Sequence, residues 1–212
     1  MKIKVGLNKK SIGQAIKKLN EIKSFIPKMS QEFSMEVAHW ITDRANIYID
    51  SSDIGSLVKD KIKSSWNYEV TSSGIKIVNN AQKQVPNFGT VPLAVLVEFG
   101  VGIVGEANQH PNASEEGYEY NMQTDPSHKN ADGSWSFWLN SDERDLPMSA
   151  FTDFGSYDDH RKGGKRMVVT TFGAKGVWYA YNAIVDAQME LAKSDGGEIG
   201  KIWRDIKSRY IK

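Results

Sequence analysis

The residue best placed to do chemistry is Glu98, the single charge in the most apolar run of the chain, VPLAVLVEFGVGIVG over 91–105. A carboxylate in such a run must find a partner or remain partly hydrated. Two interpretations are open: a structural carboxylate, capped by backbone N–H groups or paired with an arginine, and a catalytic acid. Because no base neighbours Glu98 in the run, we expect it to anchor the fold.

Metal-site spacing is absent among the four histidines of the chain. They are His39, His110, His128 and His160. HExxH, paired helical histidines and a DxDxDG loop do not occur, so no metal is predicted and the last three histidines are expected to be solvated in a loop. Asp158 and Asp159, next to His160, leave one enzymatic alternative, a metal-dependent hydrolase or nuclease accessory protein.

The motifs of phosphate loops and serine hydrolases are also absent. RKGGKR over 161–166 lacks GxxxxGK followed by Ser or Thr, so Arg161 and Lys162 are interpreted as part of a flexible basic patch. GxSxG does not occur, and without cysteine the chain has neither disulfides nor thiolate metal ligands. The sequence thus indicates no nucleophile, and we predict no catalytic residue and no cofactor.

The run around Glu98 is predicted to form a short buried helix. Pro92 suits a first helical position, and Gly100 suits a helix end. A strand over 91–99 is the alternative, because periodicity cannot separate the two in so short a run and its valines favour a strand.

The N-terminal part is predicted to be mainly helical. Ile3, Val5 and Leu7 alternate with polar residues and indicate an edge strand. Helical spacing then predicts an amphipathic helix that Pro27 breaks, followed by a second helix whose apolar stripe runs over 33–48. A helical turn near 57–62, a hairpin turning at 71–74 and a loop over 85–91 complete this part.

The segment 105–166 is predicted to be mostly loop, an inserted arm that orders on assembly. Only Trp135, Phe137 and Leu139 alternate in it as a strand would. A strand over 167–171, a turn over 172–176, a helix from Val177 and a basic amphipathic helix from Ile199 follow. The whole chain, 1–212, is predicted to be one α+β domain, because helices and a hairpin follow one another without βαβ alternation.

The net charge of +1 conceals an uneven distribution. Met1–Lys28 carries eight lysines and one glutamate, and the last twelve residues carry five basic residues and one acid, whereas 105–160 carries twelve acids and two basic residues. This pattern suits self-association or an oriented partner, and it lacks the overall basic excess typical of nucleic-acid-binding domains. No apolar run is long enough for a membrane span or a signal peptide, so the expected protein is soluble.

The run VLVEFGVGIVG resembles the hallmark of the head-tail joining family of long-tailed bacteriophages, the tail-completion or neck proteins. The matching residues are Ala94, Val97, Glu98, Phe99, Gly100 and Gly102. The family's usual Tyr before Ala is Leu93 here, and its usual Thr between the glycines is Val101. The resemblance extends loosely to the N-terminal helix, to a strand near 134–139 and to the C-terminal helix.

The resemblance implies an α+β protomer, an antiparallel sheet braced by N-terminal and C-terminal amphipathic helices. It implies a structural protein of the virion neck, made in the host cytoplasm, and no enzyme. It would form a homo-oligomeric ring that joins the portal-side or head-closure connector to the tail tube or its terminator, with DNA passing through without sequence-specific binding. A stand-alone adaptor without a ring is a further alternative. From the charge pattern we expect the basic terminal helices of one protomer to face the acidic arm of the next or of a connector subunit, with apolar contacts supplying most of the affinity. The expected assembly contacts are Asp142, Glu143, Asp145, Arg161, Lys162 and Trp203.

Overall fold

The computed structural model describes residues 9–85, 89–120, 131–132, 135–139, 153–159, 164–171 and 173–211. The chain divides into two compact units. Unit 1 comprises Met1–Asp43, Tyr68–Ile77 and Ala183–Lys212, and unit 2 comprises Arg44–Asn67 and Val78–Asn182. The expected strand at Ile3–Leu7 lies outside the described residues, and the single domain over 1–212 stays a prediction.

The fold is α+β, with N-terminal and C-terminal helices and small antiparallel sheets. In chain order the elements are α1 (Lys9–Ser51), α2 (Ser56–Lys63), β1 (Trp66–Thr71), β2 (Gly74–Asn79), β3 (Lys83–Val85), β4 (Gly89–Val91), α3 (Leu93–Phe99), β5 (Gly100–Val101), α4 (Gly102–Ala107), β6 (Trp135–Leu139), β7 (Asp153–Asp159), β8 (Gly164–Thr171), β9 (Gly173–Lys175), α5 (Tyr179–Ala192) and α6 (Gly197–Tyr210).

The expected helix break at Pro27 is wrong, because α1 continues through it. A proline inside a helix costs about 3 kcal/mol through its missing N–H and its clash with the preceding turn. Packing on both sides offsets that cost in unit 1. The Phe25 ring lies 5.8 Å from that of Tyr210, and the Phe33 ring lies 5.4 Å from that of Trp203, so one face of α1 packs on α6 before and after the proline.

The core of unit 1 lies between α1, α5 and α6. Ile199 and Ile206 of α6 are 1% and 0% exposed, and Met29 and Ala38 of α1 are also buried. The amphipathic pattern of α6 predicts this packing, since its apolar residues recur at helical spacing among lysines and arginines. The final helix expected near Ile199 is therefore present as α6.

In unit 2, α2 packs through its apolar positions. Ile62 is fully buried and Val58 is nearly so, and Ala45 and Ile49 are buried with them in the same unit. Trp66 donates its indole N–H to the Asn46 side chain at 2.9 Å. The helical turn expected near 57–62 is therefore a full helix of two turns.

The choice between helix and strand for 91–99 is settled in favour of the helix. It is α3, which Pro92 precedes, and its last residue is followed by Gly100 at φ 84°. That left-handed conformation is open to glycine at little cost. The hairpin expected at Thr71–Gly74 is also present, as β1 and β2.

Several expected loops contain strands. The loop expected over 85–91 is flanked by the antiparallel pair β3 and β4, and the turn expected over 172–176 contains β9, which pairs with β5. The segment 105–166 is not mostly loop in its described part, since β7 and the start of β8 lie there. β8 lies between β6 and β7 in a three-stranded antiparallel sheet. Among the described helices, none is both long and apolar enough to cross a membrane.

Candidate functional site

Glu98 lies near the end of α3 and is 8% exposed. Its Oε2 accepts the backbone N–H of Ala180 at 2.9 Å, and its Oε1 accepts that of Tyr181 at 3.0 Å. Oε1 also lies 3.0 Å from Nε2 of His110. The carboxylate is thus capped by backbone N–H groups, as the structural interpretation of Glu98 requires, but its side-chain partner is a histidine and not an arginine.

The two N–H groups that Glu98 accepts belong to the first turn of α5. These groups have no partner within their own helix, and the helix dipole places a partial positive charge there. A carboxylate from α3 therefore caps α5 from 82 residues away in the chain. Two backbone bonds strengthen the same connection: Val177 N–H to the Val97 carbonyl at 2.8 Å, and Trp178 N–H to the Glu98 carbonyl at 3.2 Å.

His110 is buried, at 5% exposure, so the expectation that it is a solvated loop histidine is wrong. Its Nδ1 accepts the backbone N–H of Asn112 at 3.0 Å. A ring nitrogen that accepts a hydrogen bond carries no proton. In the neutral ring the proton is therefore on Nε2, which donates a hydrogen bond to the Glu98 carboxylate. The backbone N–H of His110 donates to the Tyr120 hydroxyl at 2.7 Å, which fixes the turn that carries the ring.

An aromatic shell surrounds this pair. The rings of Phe99, Trp178 and Tyr181 lie 4.4, 5.8 and 5.3 Å from the His110 ring. Tyr118 stacks on Phe99 at 4.6 Å. The rings keep water from the Glu98–His110 contact, and a hydrogen bond is stronger in such a low-dielectric setting.

Two tyrosines tie the shell to the backbone of the 91–105 run. The Tyr118 hydroxyl donates to the Gly100 carbonyl at 2.6 Å, and the Tyr179 hydroxyl donates to the Ala94 carbonyl at 3.0 Å. Burial raises the pKa of Tyr118 to about 12, and burial together with the nearby Glu98 carboxylate raises the pKa of Tyr179. Both phenols therefore stay protonated and keep donating at neutral pH.

The chain crosses itself closely where β5 meets β9. A Cβ at Gly100 would lie 2.6 Å from the Ala174 carbonyl oxygen, and a Cβ at Gly176 would lie 2.5 Å from the Glu98 carbonyl oxygen. No side chain fits at either position without moving backbone. The two glycines allow the segment before α5 to lie directly against the end of α3, which places the α5 N-terminus at the Glu98 carboxylate.

The arrangement is an anchor by its chemistry. The Glu98 oxygens accept three hydrogen bonds and the carboxylate is nearly buried, so one side chain holds the end of α3, the start of α5 and the His110 turn together. Among the described residues no group of three or more His, Cys, Asp or Glu side chains could hold a metal ion. The cluster behind the enzymatic alternative, Asp158, Asp159 and His160, is described only in part. Asp158 and Asp159 lie on β7, opposite Lys165 and Gly164 of β8, and His160 lies outside the described residues.

The other residues singled out from the sequence divide into two groups. Ala94 is buried, Val97 and Gly100 bind through their carbonyls, Phe99 contributes its ring, and Gly102 begins α4. Of the expected assembly contacts only Trp203 is described; it is 39% exposed and its ring meets that of Phe33. The remaining contacts lie outside the described residues. They are Asp142, Glu143, Asp145, Arg161 and Lys162.

His110, Gly176, Tyr118 and Tyr179 belong to the anchor and were not predicted from the sequence. No local pattern marks them: His110 stands alone in a polar segment, and nothing beside Gly176 indicates that Gly100 crosses it. The one available signal was Glu98 itself, since a buried carboxylate must have donors somewhere in the chain.

Comparison with known proteins yields no match: no family model, no curated protein and no solved structure matches this chain.

Proposed function

We propose that this chain is a structural protein of a bacteriophage neck, a head-tail joining protein that forms a ring between the portal-side connector and the tail tube. The observation that carries the proposal is the run LAVLVEFGVG over 93–102, which resembles the family hallmark. The neck location, the ring and the junction with the connector and the tail tube are all proposed from that resemblance.

The geometry of the run supports a structural use of these residues. Glu98 binds two N–H groups of α5 and the ring of His110, and Gly100 permits the close crossing with Gly176. Such an anchor orders this part of unit 2 before the protomer binds its neighbours, which lowers the entropic cost of assembly there. An enzyme would instead need a carboxylate within reach of a reacting atom.

The proposal is tested by locating the protein in virions. Antibodies raised against the purified chain should label the junction of head and tail in particles from a bacterium that carries the gene, and negative-stain images of the purified protein should show closed rings. Label confined to another part of the particle, or absent from it, would refute the neck assignment.

Two measurements separate the alternatives. A hydrolase or nuclease accessory protein would change the cleavage of DNA when divalent metal is titrated in, and the proposed neck protein would leave DNA intact. An adaptor without a ring would label the junction but would keep the mass of a monomer in solution at every concentration.

A further inference from the structure

The first half of α1 carries an uncovered stripe of aliphatic side chains in unit 1. Ile12, Ile16, Leu19 and Ile26 are 44%, 54%, 54% and 55% exposed. Their spacing places them on one helix face over about 21 Å, at 1.5 Å of rise per residue. Lys23 lies on the same face between Leu19 and Ile26, so Ile12, Ile16 and Leu19 form the uninterrupted part of the stripe. Single exposed hydrophobic residues are ordinary, but a row of them on one face indicates a contact surface.

The helical segment that carries the stripe is strongly basic, and its charge restricts the kind of surface that can cover the stripe. Lys9–Lys28 contains six lysines and one glutamate, and Lys17, Lys18, Lys23 and Lys28 are exposed. Pairing with the same stripe of a second copy would bring two strongly basic segments together, which like-charge repulsion disfavours. The complementary surface must therefore be acidic and must offer apolar atoms to the stripe.

Unit 2 of the same chain has such a surface. Glu106 of α4 and three glutamates in the turns after it are all exposed: Glu115, Glu116 and Glu119. A cleft of about 340 Å³ opens among them, lined by Glu106, Glu119, Ala113, Tyr118 and Tyr120 among others. Carboxylates and aromatic residues thus stand side by side, as a basic helix with an aliphatic stripe requires.

We propose that the stripe of α1, Ile12 to Ile26, docks on the acidic cleft of a second copy of this chain. The aliphatic side chains enter the cleft against Tyr118, which is partly exposed. Lys23, which lies on the same helix face as the stripe, pairs with the glutamates, and the other lysines of the segment attract them at longer range. The two surfaces differ, so each copy uses one surface to bind the copy before it and the other to bind the copy after it. A heterologous contact of this kind closes into a ring when the rotation allows it, and in that respect the inference rests on the proposed function.

Two double variants, each confined to exposed positions, test the contact. The stripe variant carries Ile16→Asp and Leu19→Asp, and the cleft variant carries Glu115→Lys and Glu119→Lys. We expect wild type to associate in low salt, and each variant alone to bind itself at least 10-fold more weakly by sedimentation equilibrium. Leu57→Asp, at a side chain 62% exposed on α2, and Glu36→Lys, at an exposed position on α1, are matched controls that should associate as wild type does.

Mixing the two variants is the decisive arm. The stripe variant keeps an intact cleft and the cleft variant keeps an intact stripe, so an equimolar mixture should form heterodimers and grow no further. Pairing of like stripes would instead let the cleft variant associate by itself as wild type does, which would overturn the proposal. It would also be overturned by a wild type that stays monomeric, by variants that assemble normally, or by a mixture without heterodimers.

The failure of this inference is distinguishable from the failure of the proposed function. If rings form and label the neck while the stripe and cleft variants assemble normally, the neck function stands and the contact lies elsewhere. Unchanged far-ultraviolet circular dichroism and unfolding midpoints in both variants confirm that lost association reflects the surface and not the fold.

Discussion

At the scale of the residue, the stability of unit 2 depends on the buried carboxylate of Glu98. Glu98→Ala leaves the Nε2–H of His110 and two N–H groups of α5 without their acceptor. A buried donor left without an acceptor costs about 1 to 3 kcal/mol, so we expect the three donors together to lower the free energy of unfolding by about 3 kcal/mol or more. Urea unfolding measures it, with the exposed Glu116→Ala as a control that should change little. An unchanged midpoint for Glu98→Ala would contradict the anchor role.

Tyr118 makes the free energy of unfolding depend on pH in the alkaline range. Burial raises its pKa from 10.0 to about 12 in the folded state. Between these values the unfolded chain releases the phenol proton and the folded chain keeps it, so the stabilisation is complete below pH 10 and is lost as the pH rises towards 12. Unfolding free energies measured from pH 9 to 12 should therefore fall less steeply in Tyr118→Phe than in wild type. Parallel curves would show that Tyr118 titrates alike in both states.

At the scale of the element, the close approach of the segment after β9 to the end of α3 leaves no room for a side chain at Gly100 or Gly176. Gly176→Ala would place a Cβ 2.5 Å from the Glu98 carbonyl oxygen, so α3 and the start of α5 must separate and the variant should be strongly destabilised. Gly13→Ala is the matched control of opposite sign. Its Cβ meets nothing within 4 Å, and alanine in place of glycine inside a helix is worth about 0.5 to 1 kcal/mol. Thermal unfolding compares the two, and a Gly176→Ala midpoint at or above that of wild type would refute the close crossing.

The elements that could be predicted from the sequence are those with a local signal. The spacing of apolar residues in α6, the turn at 71–74 and the glycine after α3 each act within a few residues. Pro27 was misjudged because its cost is local while the packing that offsets it comes from α6. β7 was missed because DFGSYDD has little strand propensity and is held by pairing with β8.

At the scale of the whole molecule, charge is sorted along a nearly neutral chain. Basic residues concentrate towards both termini, and acids concentrate in the middle. That sorting could be read from the sequence. The anchor could be read only in part: Glu98 stood out, whereas His110 and Gly176 depend on contacts between segments far apart in the chain, which no local pattern encodes.

Self-association should therefore weaken as salt is added. The Debye length falls from about 10 Å at 0.1 M to about 3 Å at 1 M, so exposed lysines and glutamates attract each other less across a contact. Charge chiefly sets the encounter rate and the orientation, and the aliphatic stripe at Ile12 to Ile26 supplies an attraction that salt does not screen. We expect the association rate of wild type, measured by stopped-flow light scattering, to drop steeply between about 0.05 and about 0.5 M sodium chloride, because electrostatically steered association slows as ionic strength rises. The dissociation rate should change much less.

The double variant Glu115→Lys with Glu119→Lys is the control. Its residual association rate should no longer fall with salt, because the attraction has been replaced by repulsion. An association rate in wild type that is independent of salt would show that the sorted charges form only a solvated surface.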